Sequence, residues 1–468
     1  MEKVLEWLNA RLLWGPPMVA ALLAVGMWLT AVTKGMLFRR FGVVMRYTAG
    51  TLFRRKNRGH TASGALSPFQ AMCTALAATV GTGNIVGVGL AVSVGGPGAL
   101  FWLWVSALMG MVLKYAEVTL AVAYRTVENG RVVGGPMYYI EKGLGRKGLA
   151  QLFALFGWLA SFGIGAAVQA NALAGSLRDG FGLRTDAVGV VTALLAGLVI
   201  IGGIRRIAAA AQVLVPFMSL FYILGAAVVL VRYSTAIPAA FGEIFKGAFR
   251  GTAAVGGFAG ASVGYACRIG MARGVFTHEG GMGSAPIAHA SADTDHPARQ
   301  GLWGAFEVFF DSIVMCTVTG LVLLVTDTWK VFPLPQGAAL CAAAFAKGFL
   351  GGDYVVYGGM VLFAFATIVA WYYYGERCAA YLCRGRRLQG LYPFVYVPVV
   401  FGGCVAGLDT VWAAADLFNG LMILPNLVAL VALSPVVGRL SADLFQAPHR
   451  LRLRNEDFTP FLVFRRRK

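Results

Sequence analysis

Apolar residues in this chain come in unbroken runs near twenty residues long, not in the one-face patterns of a water-soluble fold. Each run is long enough to cross about 30 Å of hydrocarbon as a helix. Eleven are predicted, at approximately 14–37, 69–93, 97–124, 149–175, 187–204, 207–231, 252–288, 300–326, 356–380, 391–407 and 412–436. Barrel strands alternate apolar and polar positions over about ten residues, and these runs do not, so a β-barrel is disfavoured. The run 252–288 is too long for one straight crossing. It is expected to be broken, or preceded by a helix lying outside the membrane.

Composition agrees. The 468 residues are 58% apolar and 13% charged, with a mean hydropathy of +0.70. Soluble domains carry about twice that charged share, so a soluble enzyme, a secreted disulfide scaffold and a disordered tail protein are all excluded. The seven cysteines are scattered, most of them inside apolar runs, and read as small apolar packers.

The formal charge of +19, from 40 Lys+Arg against 21 Asp+Glu, is distributed unevenly between the loops. Alternate loops, at 34–58, 125–147, 205–206, 289–299, 377–387 and 437–468, hold 28 of the basic residues, and the loops on the other side hold nine. Cytoplasmic loops are the ones enriched in Lys and Arg, which places the N-terminus outside and the C-terminus in the cytoplasm of a multi-pass cell-membrane protein. The first run lacks a basic n-region and a small-residue cleavage site, so it is read as a span and not a signal peptide. The basic tail, ending Arg465-Arg466-Arg467-Lys468, is expected to rest on anionic lipid headgroups and not on nucleic acid.

Two runs carry glycines and polar side chains together at membrane depth: Thr79-Val80-Gly81-Thr82-Gly83-Asn84 in the second, and Phe276-Thr277-His278-Glu279-Gly280-Gly281-Met282-Gly283-Ser284 in the seventh. Glycine costs a helix about 1 kcal/mol per residue. Broken helix is tolerated in a bilayer only where it lines a protein-enclosed cavity. Small-residue helix packing is the competing explanation, and it fits Gly95-Gly96-Pro97-Gly98 better than these two runs. With the first run set aside, the remaining ten form two sets of five, each opening on its broken helix, and the odd number inverts the second set. The expected division is 1–60, an extra span and basic loop; 61–232, the first repeat; 233–438, the second repeat; and 439–468, the basic tail. Paired broken helices of this kind mark a transporter binding site.

The same residues resemble the alanine or glycine:cation symporter family, of the sodium:alanine type, within the amino acid–polyamine–organocation superfamily. The resemblance rests on Thr74–Ile85, Gly95–Ala99 with Lys114–Leu120, Gly135–Ile140, Gly257–Ser262, Gly301–Glu307 and Trp371–Glu376, in the family's order. It implies an all-α polytopic membrane protein of the leucine-transporter type, with eleven transmembrane helices in a 5+5 inverted repeat preceded by one extra helix. One position departs: His278 stands where the family's pattern carries Asn.

A small amino acid is a zwitterion. Its carboxylate suits the free N–H groups of a half-helix N-terminus, and Gly81, Thr82 and Gly83 let it approach that backbone. Its ammonium needs acceptors, for which the candidates are unwound carbonyls near Thr79 and Phe276, the Gln169 amide and the Thr367 hydroxyl. Asn84, Thr277, His278 and Gly281 complete the substrate-binding set. Sodium takes hard oxygen ligands, here expected from Ala77, Ala78, Val80 and Thr367. Gln169 is either a substrate ligand, as the resemblance implies, or interhelical glue. Thr367 and Trp371, one turn apart, share a helix face. Trp371 and Phe276 read as pocket walls, with plain packing as the alternative for Trp371.

Charges inside spans are functional candidates by default. Lys114 and Glu117, at i,i+3, are expected to neutralise one another. Glu279, Glu307 and Asp311 are expected to pair internally with Arg268 and Arg273, or one carboxylate carries a proton. His278 either faces the substrate ammonium or is held by a protein partner. Other motif matches fail: Gly260-Ala261-Ser262-Val263-Gly264 lies in a span and not in a nucleophile elbow, and His278-Glu279 meets Met282 where a zinc site needs histidine. No phosphate-binding loop occurs. The expected function is sodium-coupled import of alanine or glycine by alternating access, with sodium as the coupling ion, no cofactor and no enzymatic activity. Proton coupling is the alternative, and a channel or receptor the rival class.

Overall fold

The computed structural model describes residues 9, 13–52, 65–128, 130–252, 261–330, 338–383, 386–406 and 409–446, and these are mostly helical. The basic tail beyond 446 and the predicted stretch 257–260 lie outside the described residues. In chain order the main helices are α1 (Pro16–Val32), α2 (Pro68–Thr79), α3 (Gly83–Gly95), α4 (Gly98–Ala123), α5 (Pro136–Leu144), α6 (Lys147–Phe181), α7 (Thr185–Ile200) and α8 (Gly203–Arg232). They continue as α9 (Ile237–Arg250), α10 (Val263–His278), α11 (Pro297–Val325), α12 (Ala339–Gly348), α13 (Gly352–Cys383), α14 (Arg386–Val405), α15 (Asp409–Ala432) and α16 (Ser434–Gln446). A short hairpin, Thr126–Glu128 against Arg131–Val133, joins α4 to α5.

Helix occupies part of every one of the eleven predicted runs. Among the described residues, six helices are long and apolar enough to cross a membrane, or seven if the bent pair α2 and α3 is one span. One of them, α8, exposes Phe217, Leu220 and Leu224, and the shorter apolar α7 exposes Leu194 and Leu198, surface that suits lipid.

Three helices form the centre. Every residue of α2 from Ala71 to Thr79, of α4 from Gly110 to Val122, and of α13 from Ala366 to Gly375 is buried. A helix buried all round must be close to uniformly apolar unless its polar groups find partners. The polar exceptions on these three helices therefore locate the site.

The run 252–288 is not one helix. A bridge between Thr252 and Ala261 precedes α10, whose start is capped by Ser262 accepting the Tyr265 N–H at 3.2 Å. α10 then stops at His278, and helix resumes at Pro286–His289. The amphipathic α9 precedes it, burying Ala240, Ile244 and Gly247 and exposing Phe245 and Phe249.

Candidate functional site

The first break follows α2. Ser67 and Gln70 start that helix with reciprocal side-chain and backbone bonds of 3.1 and 3.0 Å, behind Pro68 in the first turn. It ends at Thr79, and α3 leaves at a bend of 53°. Gly81 sits in the bend, where a side chain has no room: a Cβ there would lie 2.8 Å from Thr367 Oγ1 and 3.5 Å from Gln169 Oε1. The Gly81 N–H donates to Asn84 Oδ1 at 3.0 Å. Other N–H groups in the first turn of α3 have no partner within the helix, which makes this end a natural seat for an anion.

Gln169 approaches from α6, just after a turn of π-helix at Ser161–Ala167. Its Nε2 donates to Thr82 Oγ1 at 3.3 Å and to the Ile164 carbonyl at 3.2 Å. Its Oε1 is buried and, among the described residues, accepts no hydrogen bond. A buried acceptor left open forfeits about 1–3 kcal/mol, so a donor from a ligand is the expected occupant.

Thr367 and Trp371 share one face of α13, as their spacing predicts. The Thr367 hydroxyl donates to the Ala77 and Phe363 carbonyls, both at 3.0 Å. Trp371 is buried one turn on. A Cβ on Gly165 of α6 would lie 2.4 Å from Trp371 Cβ, and the Trp371 indole lies close enough to Glu279 in the second break to act on its carboxylate. One face of α13 thus touches both breaks.

The second break runs from Glu279 to Ala285. Glu279, Gly281 and Gly283 take φ of +53°, +93° and +83°, the left-handed region where glycine carries no penalty. The Ser284 hydroxyl donates to the Glu279 carboxylate. Asn426 of α15 donates to the Gly281 carbonyl at 2.8 Å and to Glu117 at 2.5 Å, and Tyr139 of α5 donates to Asn426. The breaks meet where Gly83 abuts Thr277: a Cβ on Gly83 would be 3.1 Å from Thr277 Oγ1.

The predicted site residues therefore divide. Thr79, Gly81, Thr82, Asn84, Gln169 and Thr367 converge at the first break, with Ala77, Ala78 and Val80 at the end of α2 beside them. Gly83 and Thr277 form the seam between the breaks. Gly281 faces Leu22 of α1 and Asn426. Phe276 is half-buried, edge-on to Trp14 at 6.0 Å and beneath the Arg273 guanidinium at 5.8 Å.

His278 packs on Gly110 of α4. Its Nδ1 accepts the Gly280 N–H at 2.9 Å, so the neutral ring carries its proton on Nε2 and donates to Ser106 Oγ at 3.0 Å. Both nitrogens are spent on protein. Wild type and His278→Asn are accordingly expected to give the same dependence of ligand affinity on pH between about 5.5 and 8, a range that spans an ordinary histidine's titration. A profile that flattens in the variant would place the ring in the substrate site instead.

The buried charges pair differently from their sequence neighbours. Lys114 bonds Glu307 of α11 at 3.2 Å, not Glu117 one turn along its own helix. Glu307 also holds His289 at 3.0 Å and accepts the Thr79 hydroxyl at 3.4 Å. Arg268 lies over the Tyr265 ring, and Arg273 turns toward Phe276, with Asp416 as its electrostatic partner, so neither arginine pairs with Glu279, Glu307 or Asp311. α10 carries both arginines before the break, and the three carboxylates lie at or beyond it. Asp311 sits in a further π-helical segment, Phe309–Cys316. It accepts the Asn84 amide at 2.8 Å and the Ser312 hydroxyl at 2.8 Å. This Asn84–Asp311 link has no signature in the sequence beyond a charge inside an apolar run.

A family model described as the sodium:alanine symporter family matches residues 1–457. The Sodium/alanine symporter AgcS of Methanococcus maripaludis is 46% identical, over 91% of this chain and 93% of its own length. An "Uncharacterized transporter" of Haemophilus influenzae is 44% identical over 98% of both chains. The Putative sodium/proton-dependent alanine carrier protein YrbD of Bacillus subtilis is 35% identical, over 91% of this chain and 89% of its own.

Proposed function

Since the chain belongs to the sodium:alanine symporter family, we propose that it imports alanine or glycine together with sodium, by alternating access to the first break. The observation that carries this reading is the open, buried Gln169 Oε1 beside Gly81. An α-ammonium there satisfies the amide oxygen. The α-carboxylate then reaches the N–H groups of Thr82 and Gly83, where the α3 dipole favours negative charge. The narrow floor formed by Gly81, Thr367 and Gln169 favours small side chains, with Trp371 closing one side and Phe276 standing toward Trp14.

The coupling sodium belongs at the end of α2, on the Ala77, Ala78 and Val80 carbonyls and Thr367 Oγ1. Thr367 already bridges α13 to Ala77, so an ion there ties the two helices together. In the membrane the eleven apolar segments are eleven crossings. α1 leads, α2 and α10 open two inverted sets of five, the N-terminus lies outside and the C-terminus in the cytoplasm.

Purified protein in liposomes, given labelled amino acids under sodium and proton gradients imposed separately, tests the reading. Alanine or glycine uptake driven by inward sodium is the expected result, and accumulation of neither under any gradient would overturn it. Within that assay Gln169→Leu keeps the side chain's bulk and removes the acceptor. A hydrogen bond to a charged group is worth about 1.5–3 kcal/mol. Alanine affinity should therefore fall roughly 10- to 150-fold. Unchanged affinity would reduce Gln169 to interhelical packing.

A further inference from the structure

The short helix α5 lies in the connection between α4 and α6, yet it reaches the second break. Tyr139, in its first turn, is buried, and its hydroxyl donates to Asn426 Oδ1 on α15. The Asn426 amide donates in turn to the Gly281 carbonyl at 2.8 Å and to Glu117 Oε1 of α4 at 2.5 Å. Asn426 is itself buried, with both its donors and its acceptor in use. Pro136, the first residue of α5, stands against the break as well: a Cβ on Gly283 would lie 2.6 Å from Pro136 Cγ. Three helices far apart in the sequence, α4, α5 and α15, thus close on one turn of backbone.

The network is one bond short. Glu117 Oε2 is buried and, among the described residues, has no hydrogen-bond partner, while Lys114 on the same helix is turned to Glu307. A buried polar network left incomplete is costly, and water is the donor that completes it. Glu117 stands about two turns before the end of α4, the end that runs into the 125–147 loop. Opening the path toward that loop lets water reach Oε2. The closed arrangement is therefore held by Tyr139 and Asn426 against a carboxylate that gains from opening.

We propose that Tyr139 and Asn426 are positioning residues that hold the second break closed toward the cytoplasm, and that α5 carries their release when the transporter opens inward. The inference rests on the reading of the chain as an alternating-access symporter with the 125–147 loop in the cytoplasm. Both residues act through the Gly281 carbonyl and not on the substrate. The Tyr139 hydroxyl occupies Asn426 Oδ1 and so fixes which way round the amide stands, with its NH₂ group toward Gly281 and Glu117. Without that hydroxyl the amide is free to turn, and the carbonyl or the carboxylate loses its donor. Gly281 and Gly283, both at positive φ, then let the turn change shape at little backbone cost. A shift of α5 has the same consequence, because it withdraws the hydroxyl and Pro136 together.

The experiment combines amide hydrogen exchange of the purified protein with labelled-alanine exchange in membrane vesicles of both orientations. Tyr139→Phe keeps the ring and removes one hydroxyl. The net worth of one hydrogen bond corresponds to about 2- to 12-fold in the ratio of closed to open protein. Hydrogen exchange over residues 279–285 should rise by that factor. The KM for alanine should rise at the outer face and fall at the cytoplasmic face, because protein moves from the state competent at one face to the state competent at the other. Tyr138→Phe is the control: that ring packs edge-on against Tyr381, and the variant should match wild type in both measurements. Asn426→Asp keeps the size, removes both donations and should exceed Tyr139→Phe in both effects; if it does not fold, Tyr139→Phe decides by itself. Unchanged hydrogen exchange over 279–285 in Tyr139→Phe overturns the inference. Exchange that rises while KM moves the same way at both faces, or not at all, also overturns it and leaves the tyrosine a packing residue. A wild type that carries no alanine in either direction would instead sink the transport reading, while hydrogen exchange over 279–285 would still report whether Tyr139 holds the break.

Discussion

Gly81→Ala should leave the protein folded in the membrane and weaken alanine binding about 5- to 150-fold. The added Cβ would lie 2.8 Å from Thr367 Oγ1, a separation real Cβ atoms do not adopt, and 3.5 Å from Gln169 Oε1. Gly81 is not among the glycines with positive φ, so alanine brings crowding without backbone strain. Overpacking of this kind costs about 1–3 kcal/mol. Here the groups that must give way are Thr367 and Gln169, the two proposed to hold the coupling ion and the ammonium. Gly175→Ala, on the same helix as Gln169 but with open space around its Cβ, is the matched control and should bind as wild type does. Binding of labelled alanine to purified protein decides the matter. Equal affinities for Gly81→Ala and wild type would move the substrate away from the first break. Gly83→Val also abolishes binding, but by a different route: its side chain strikes Thr277 and wedges α3 from α10, because Thr277, and not open space, lies against Gly83.

Much of this site is legible in the sequence because its signals are local. Glycines beside Thr and Asn in an apolar run announce a break, and both predicted breaks are helix ends in the structure. Thr367 and Trp371, four residues apart, fall on one face as helical geometry requires. What fails is inference across helices. Lys114 and Glu117 are neighbours along α4, yet Glu307 on α11 takes the lysine and Asn426 on α15 takes Glu117. Spacing identifies neighbours on one helix and is silent about which partner arrives from another. The π-helical turns at Ser161–Ala167 and Phe309–Cys316 compound this, because each widened turn re-aims every side chain after it relative to an ideal helix. His278 misleads for a related reason. Its place in the broken segment suggests a substrate contact, but α10 is still helical there and turns the ring onto α4.

Lys114→Met alone should destabilise the protein by about 3–5 kcal/mol, and Lys114→Met combined with Glu307→Gln should recover most of that loss. The pair is fully buried, with Lys114 Nζ at 3.2 Å from Glu307 Oε1. Removing the lysine strands a carboxylate at membrane depth, where desolvation exceeds what its remaining partners return. Those partners are His289, at 3.0 Å, and the Thr79 hydroxyl, at 3.4 Å. His289 Nδ1 accepts from Gln300 at 2.8 Å, so Nε2 carries the proton that meets Glu307. Glutamine at 307 keeps one acceptor oxygen for His289, turns its NH₂ toward Thr79, whose hydroxyl also bonds the Ala75 and Leu76 carbonyls, and has no charge to strand, which is why the double variant is the milder one. Thermal unfolding of the four proteins in detergent gives the cycle, and a coupling near zero would mean the two side chains do not depend on each other. The arrangement also links folding to transport. Thr79 is the last residue of α2, so a disturbed Glu307 reaches the first break through a single hydroxyl. Lys114→Met is therefore expected to weaken alanine binding even in the fraction that folds, and the double variant to restore binding and stability together.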